Sequence, residues 1–100
     1  MIKITKSEIN PSSMGHKTAT VIIQADTLDE ANGLEAKQLA YNQRNVLGLG
    51  DRSGVEALGG ATPVKVERTA AELEKMSSEQ IHSGMAGYAY EREFRLTEMI

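Results

Sequence analysis

The sequence predicts an α+β domain in which two helices pack on one face of a small, mainly antiparallel sheet of about four strands, in the order β-β-α-β-α-β. Three observations predict this class. β-branched residues concentrate near the N-terminus, two strand-like segments each run into a Thr-x-x-Glu helix start, and the C-terminal segment alternates like a strand. One hundred residues is the length of an ordinary domain, so residues 1–100 are expected to form a single domain.

Composition and charge exclude several classes of protein and site. The chain has no cysteine, which excludes disulfides, thiolate zinc sites and cysteine nucleophiles. No apolar run is long enough to cross a bilayer and no export signal is visible, so we expect a cytoplasmic chain that does not bind membranes. The net charge of −3 gives no broad basic field, so direct nucleic-acid binding is not expected.

The N-terminal quarter predicts two strands that pair antiparallel. Residues 2–9, IKITKSEI, alternate partially and predict a half-solvated strand at or near a sheet edge. Residues 10–15 carry Asn-Pro and Gly, which are typical of a turn. The second strand is predicted around residues 20–24, because three consecutive β-branched residues suit a pleated surface better than a helix.

The first helix is predicted to begin at Thr27. In the segment TLDE the Thr27 hydroxyl can accept from the third helical amide while Glu30 reaches back to the cap, and Asp29 adds negative charge to the first turn. The predicted helix runs to about residue 44 and includes Gly33, which costs about 1 kcal/mol relative to alanine. We interpret Gly33 as a tolerated surface glycine; a kink or a close packing contact at this position is the alternative.

Residues 47–63 are predicted to form the longest loop. They hold five of the nine glycines, and loops of this length are usually functional or disordered. Asp51 and Arg52, in the middle of this segment, are expected to point outward for recognition, and a solvated loop without a partner is an equally good interpretation. Glu56 lies further along, in a stretch expected to form at most one helical turn.

The C-terminal part predicts a short strand over residues 63–68, a helix and a final strand. Thr69 and Glu72 repeat the capping pattern, and the helix is expected to break near residue 77 or to continue to about residue 83. Residues 88–99 alternate, and Arg92 interrupts the apolar face, which we interpret as a snorkelling side chain. The predicted inner face of this strand consists of Tyr88, Tyr90, Phe94 and Leu96.

No motif for catalysis, a cofactor or a metal stands out. The glycines at 48, 50 and 54 have neither the spacing nor the preceding strand of a dinucleotide-binding loop. His16 and His82 are far apart and neither has a second ligand one helical turn away. We therefore expect a protein without cofactor or metal that is not an enzyme.

Acidic side chains are the best candidates for partner binding. We predict that Asp29, Glu30 and Glu35 on the first helix, together with three residues of the long loop, contact a partner, because an acidic surface complements a basic one. The three loop residues are Asp51, Arg52 and Glu56. Paired carboxylates for acid–base catalysis are the alternative, but capping and solvation already account for Asp29 and Glu30.

The segment VIIQADTLDEA, residues 21–31, resembles the strand and capped-helix segments of small phage and mobile-element proteins, including anti-CRISPR inhibitors. This resemblance implies a cytoplasmic inhibitor in a host cell that binds a CRISPR effector, or another host protein or nucleoprotein complex, by its surface and blocks nucleic-acid binding. Two alternatives remain. One is a phage structural or assembly component that self-associates, for instance as a homodimer through the edge strand, and the other is a small enzyme with an unrecognised site.

Overall fold

A computed structural model describes residues 2–11, 17–50, 52–76 and 87–98. The sheet is antiparallel, with the strand order β1-β2-β4-β3, and helices pack against it, which confirms the predicted α+β class. The elements are β1 (Ile2–Ile9), β2 (Thr18–Ala25), α1 (Leu28–Asn32), α2 (Leu34–Val46), β3 (Gly54–Lys65), α3 (Ala70–Lys75) and β4 (Tyr88–Thr97). No helix in the described ranges is long and apolar enough to cross a membrane.

The N-terminal hairpin forms as predicted. β1 pairs antiparallel with β2, and Ile4 lies opposite Ile23 in the register. A bulge between Ile4 and Lys6 shifts the register, and β1 occupies one edge of the sheet. The hairpin pairing continues past β1, since the Asn10 amide donates to the Thr18 carbonyl at 2.8 Å. The rest of the predicted turn, residues 12–15, lies outside the described residues.

The core lies between one face of the sheet and α2. Val21 and Ile23 of β2 and Phe94 and Leu96 of β4 are its largest fully buried side chains, and β2 alternates strictly between buried and half-buried positions. α2 contributes two buried alanines, whose small side chains allow the helix to approach the sheet closely. The predicted inner face of β4 is therefore buried at Phe94 and Leu96, whereas Tyr88 near its start is 39% exposed.

The first predicted helix is two helices, so the interpretation of Gly33 as a tolerated glycine inside one helix was wrong. Gly33 has φ −78° and ψ 165°, an extended conformation that ends α1 and starts α2. A β-carbon on Gly33 would lie 3.1 Å from the carbonyl oxygen of Asp29, which is tighter than ordinary contact. The break thus turns the chain at a position where backbone atoms approach closely.

The prediction of a loop over residues 47–63 was largely wrong, because β3 begins at Gly54. β3 pairs with β4 from Gly54, opposite Thr97, to Lys65, opposite Tyr88, with an irregularity between Leu58 and Thr62. Residues 63–65 of the predicted short strand are the end of this longer strand, whereas residues 66–68 lie outside it. Glycine lowers strand propensity, but pairing with β4 and the partial burial of Val55 against the core overcome that local preference.

The β3 irregularity offers a stability test at two adjacent glycines. Gly59 has φ +79° whereas Gly60 has no positive φ, and an added β-carbon would meet no atom within 4 Å at either position. We expect Gly59→Ala to lower the free energy of unfolding by about 1–2 kcal/mol, because a β-carbon strains the left-handed backbone. Gly60→Ala is the matched control and should change it by less than about 0.5 kcal/mol in urea unfolding. Equal losses in both variants would contradict backbone strain as the cause.

Candidate partner-binding surface

Arg68, just after β3, joins three parts of the fold at one end of the sheet. Its Nη1 lies 2.6 Å from Asp26 Oδ1 and 3.6 Å from Glu72 Oε2, and its Nη2 donates to the carbonyl oxygen of Tyr88 at 2.9 Å. Only 9% of the Arg68 side chain is exposed. One guanidinium therefore connects the end of β2, the first turn of α3 and the start of β4.

Two capped helix starts, both predicted from the sequence, lie beside Arg68. The Thr69 hydroxyl accepts from the Glu72 amide at 3.2 Å while Glu72 Oε1 accepts from the Thr69 amide at 3.3 Å, which completes a capping box. At α1 the Thr27 hydroxyl accepts from the Glu30 amide at 3.2 Å and donates to Glu30 Oε1 at 3.1 Å. Each cap fixes one glutamate carboxylate next to the N-terminus of its own helix.

A cleft of about 290 Å³ separates these two helix starts. We call it the Arg68 cleft; its lining consists of Asp26, Thr27, Glu30, Arg68, Ala71, Glu72, Lys75 and Met76. Three of these side chains are acidic and two are basic, and the more buried of the two bases is already engaged by Asp26 and Glu72. The cleft therefore presents carboxylate oxygens to anything that enters it.

Both carboxylates on Arg68 are held in the ionised form. Burial acts to raise the pKa of Asp26, but hydrogen bonding and charge, first of all from Arg68, more than offset it, so the pKa lies below its ordinary value. Hydrogen bonds from the Thr69 amide and hydroxyl lower the pKa of Glu72, and the charge of Arg68 adds to this effect. Asp26 and Glu72 therefore keep their negative charges at neutral pH.

The predicted partner-binding residues divide between different parts of the molecule. Asp29 and Glu35 are exposed on α1 and α2, and Glu30 is half-buried in the lining of the Arg68 cleft. Glu56 lies opposite Arg95 in the register, on the face of the sheet that the helices leave open. The structure therefore places the helix acids on the helix side and Glu56 on the other side, and it does not form one surface from them.

The segment between α2 and β3 is short and tied to the fold. Leu49 is buried, the Ser53 hydroxyl donates to the Gly50 carbonyl at 2.6 Å, and the Gly50 amide donates to Glu98 Oε1 at 3.2 Å. Arg52 is exposed in this segment, and Asp51 lies outside the described residues. Arg52 therefore lies in a short connection whose neighbouring residues are hydrogen-bonded, and not in a long open loop.

Sequence reasoning did not identify Arg68, although it identified both helix starts that Arg68 joins. The Arg68–Asp26 pair spans 42 positions, and no local pattern connects residues so far apart. The two capping motifs were the available signal, since helix N-termini brought to one end of a sheet place their acidic first turns close together.

The described residues contain no cluster of three or more His, Cys, Asp or Glu side chains able to hold a metal ion. In comparisons with known proteins, no family model, no curated protein and no solved structure matched this chain.

Proposed function

We propose that this chain is a non-enzymatic protein-interaction module that uses the acidic side chains of α1 and the Arg68 cleft to bind a basic surface of a host nucleoprotein complex. In its most concrete form it is an anti-CRISPR-like inhibitor that blocks nucleic-acid binding by a CRISPR effector. The observation that carries the proposal is the Arg68 cleft, in which one guanidinium and two capped helix starts hold several carboxylates at one end of the fold.

Preorganisation supports this use of the cleft. Ordering a flexible side chain on binding costs about 0.5–1.5 kcal/mol, and the hydrogen bonds of Glu30 and Glu72 to their own caps reduce that cost in advance. Asp29 is exposed next to these fixed groups and extends the negative surface along α1. A partner therefore meets carboxylates that already have defined positions.

The chemistry of the partner follows from the sign of this surface. A protein face that binds a phosphate backbone is positively charged, so acidic side chains in fixed positions compete with nucleic acid for it. Complementary charge also speeds encounter and suppresses binding to acidic proteins. Charge complementarity thus supports a nucleic-acid-binding face as the partner surface.

We expect charge neutralisation to weaken inhibition. In the test variant Asp29→Asn, Glu30→Gln and Glu35→Gln are combined, since glutamine at position 30 can still complete the helix cap. The matched control combines Glu8→Gln, Glu91→Gln and Glu93→Gln, which removes the same charge from β1 and β4. Inhibition of target-DNA binding is measured with a panel of purified CRISPR effectors, and the test variant should need about tenfold more protein for half inhibition than wild type.

The control separates a specific surface from general charge. Near-wild-type inhibition by the control variant supports recognition through the acidic side chains of α1 and the first turn of α2. Equal weakening by both variants, or no inhibition of any effector by wild type, contradicts the proposal.

A second candidate function is self-association as a structural or assembly component. The observation in its favour is that β1 lies at a sheet edge and carries Ile9, which is 47% exposed. An unpaired edge strand can pair with a second copy. Sedimentation that shows a strict monomer at high concentration would contradict this candidate.

A further inference from the structure

We propose that the protein has a second binding site, separate from the Arg68 cleft, that takes a small organic anion between the start of α2 and the middle of β4. The ligand class is an oxyanion, a carboxylate or a phosphate, joined to a short apolar group. The groups that recognise it are the guanidinium of Arg92, the ammonium of Lys37 and the first turn of α2.

The site is a cavity of about 350 Å³. Its described lining consists of Asn32, Gly33, Leu34, Lys37, Ala57, Arg92 and Phe94. Two of these side chains are cationic and, among the lining residues that the structure describes, none is acidic. In a chain of net charge −3, this is a local excess of positive charge with room for a small molecule.

Arg92 supplies the strongest evidence for an anion. It lies opposite Ile23 in the register, on the helix-covered face of the sheet, and its guanidinium carbon is 5.6 Å from the centre of the Phe94 ring. Its Nε is buried and has no hydrogen-bond partner among the described residues. Arg92 lines the cavity, and a guanidinium fork matches the two oxygens of a carboxylate or phosphate.

β3 is irregular beside Arg92 in the sheet. The register is interrupted after Leu58, opposite Glu93, and resumes at Thr62, opposite Glu91, so Arg92 lies opposite the irregular residues between these two pairs. Gly59 and Gly60 lie there, and the neighbouring β3 residue Ala57 lines the cavity. Bulges of this kind often occur next to functional sites, where they redirect a strand.

The start of α2 adds main-chain donors to the two side chains. α2 is 13 residues long, and its cap residue Gly33 makes no side-chain capping bond. The first-turn amides of a helix have no acceptor within the helix and favour an anion nearby. Asn32, Gly33 and Leu34 line the cavity, so this helix end borders the same space as Arg92 and Lys37.

An adjoining groove provides the binding surface for the apolar part of the ligand. A volume of about 180 Å³ lies between α2 and β3, lined by Leu34, Lys37, Gln38, Tyr41 and Val55. It shares Leu34 and Lys37 with the cavity, and Leu34 is 79% exposed. A ligand with its oxyanion at Arg92 and a short chain along Leu34 would cover apolar surface that is otherwise in water.

Calorimetric titration with inorganic phosphate and with octanoate tests the site. Phosphate represents the oxyanion alone, and octanoate adds an apolar chain. We expect both to bind and octanoate to bind more tightly. Arg92→Gln and Lys37→Gln should each weaken octanoate binding by about tenfold, as expected for the loss of a charge-assisted hydrogen bond.

Two further variants control for charge and for folding. Arg95→Gln removes the same charge from the opposite face of β4 and should leave binding unchanged. Glu35→Gln removes a negative charge from the first turn of α2 and should strengthen binding. Lys37 is exposed, so its variant is expected to fold even if the Arg92 variant does not.

The outcomes decide both parts of the proposal. Absence of binding by both probes, or equal weakening by Arg95→Gln, overturns the anion site. Octanoate that binds no more tightly than phosphate overturns the apolar part. The site does not depend on the acidic surface for its function. The Arg92 variant should therefore inhibit a CRISPR effector as wild type does.

Discussion

Replacing Phe94 by alanine is expected to lower the free energy of unfolding by about 3–5 kcal/mol, the largest effect of any single substitution considered. Phe94 is 1% exposed and lies opposite Val21 on β2 and Ala57 on β3. Removing the ring leaves a cavity bordered by rigid strands, which cannot collapse to fill it. Only one aromatic residue is fully buried among the described residues, so no other ring can take its place.

Urea unfolding followed by circular dichroism measures this effect. Tyr88→Ala is the control, since Tyr88 is an aromatic residue of the same strand that is 39% exposed. It should lose less than half as much stability as Phe94→Ala, because less of the ring is removed from water in the folded state. Equal losses at the two positions would contradict the location of the core.

Replacing Arg68 by methionine is expected to lower the free energy of unfolding by about 2–3 kcal/mol. The change removes the ion pairs with Asp26 and Glu72 and the hydrogen bond to the Tyr88 carbonyl. It also leaves the Asp26 carboxylate, which is 26% exposed, without its guanidinium partner. Remaining solvent around Asp26 keeps the loss below that of a fully buried pair.

The pH dependence of stability identifies the Arg68–Asp26 pair as the cause. The pKa of Asp26 is lowered in the folded state, so the pair stabilises the protein above the unfolded pKa, and this contribution disappears as the pH falls below about 4. Arg68→Met should therefore lose less stability on acidification than wild type. Arg52→Met, at an exposed position, is the control and should change stability by less than about 0.5 kcal/mol. If Arg68→Met is less stable than wild type by the same free energy at about pH 3 and at about pH 7, the ion pair is not the source of the loss.

Local signals in the sequence predicted most of the fold. Thr27 and Thr69 each cap a helix as their spacing to a glutamate indicated, and the β-branched run in β2 and the alternation in β4 correctly predicted two strands. These features depend on contacts within a few residues. They are therefore visible in a single chain without knowledge of its partners in space.

Two predictions were wrong, one where tertiary pairing overrides local preference and one where a helix ends earlier than expected. β3 contains Gly54, Gly59 and Gly60, which indicate a loop, but residues 54–58 and 62–65 pair with β4 across the sheet. Gly33 ends a helix that the apolar pattern continues, because the chain turns there between α1 and α2. At β3 the deciding contact is with a distant strand that the local sequence does not specify, whereas at Gly33 the close contacts are with the carbonyl oxygens of Asp29 and Glu30.

In the candidate site too, the sequence predicted residues with a local signal but not contacts between distant residues. Asp29, Glu30 and Glu35 were predicted from the first helix alone, and the structure places them on the helix side of the fold. The partners of Arg68 come from distant parts of the chain and became visible only in three dimensions. Glu56 was grouped with the other acids by its assumed place in a loop, and its position in β3 puts it on the open face.

The most direct test of the proposed acidic recognition surface is the salt dependence of effector inhibition. At low salt, the variant neutralised at positions 29, 30 and 35 should require about a tenfold higher concentration for half inhibition than the control variant neutralised at positions 8, 91 and 93. The ratio of the two half-inhibition concentrations should fall towards one as salt screens the exposed charges. A ratio close to one at low salt would contradict the acidic surface as the site of recognition.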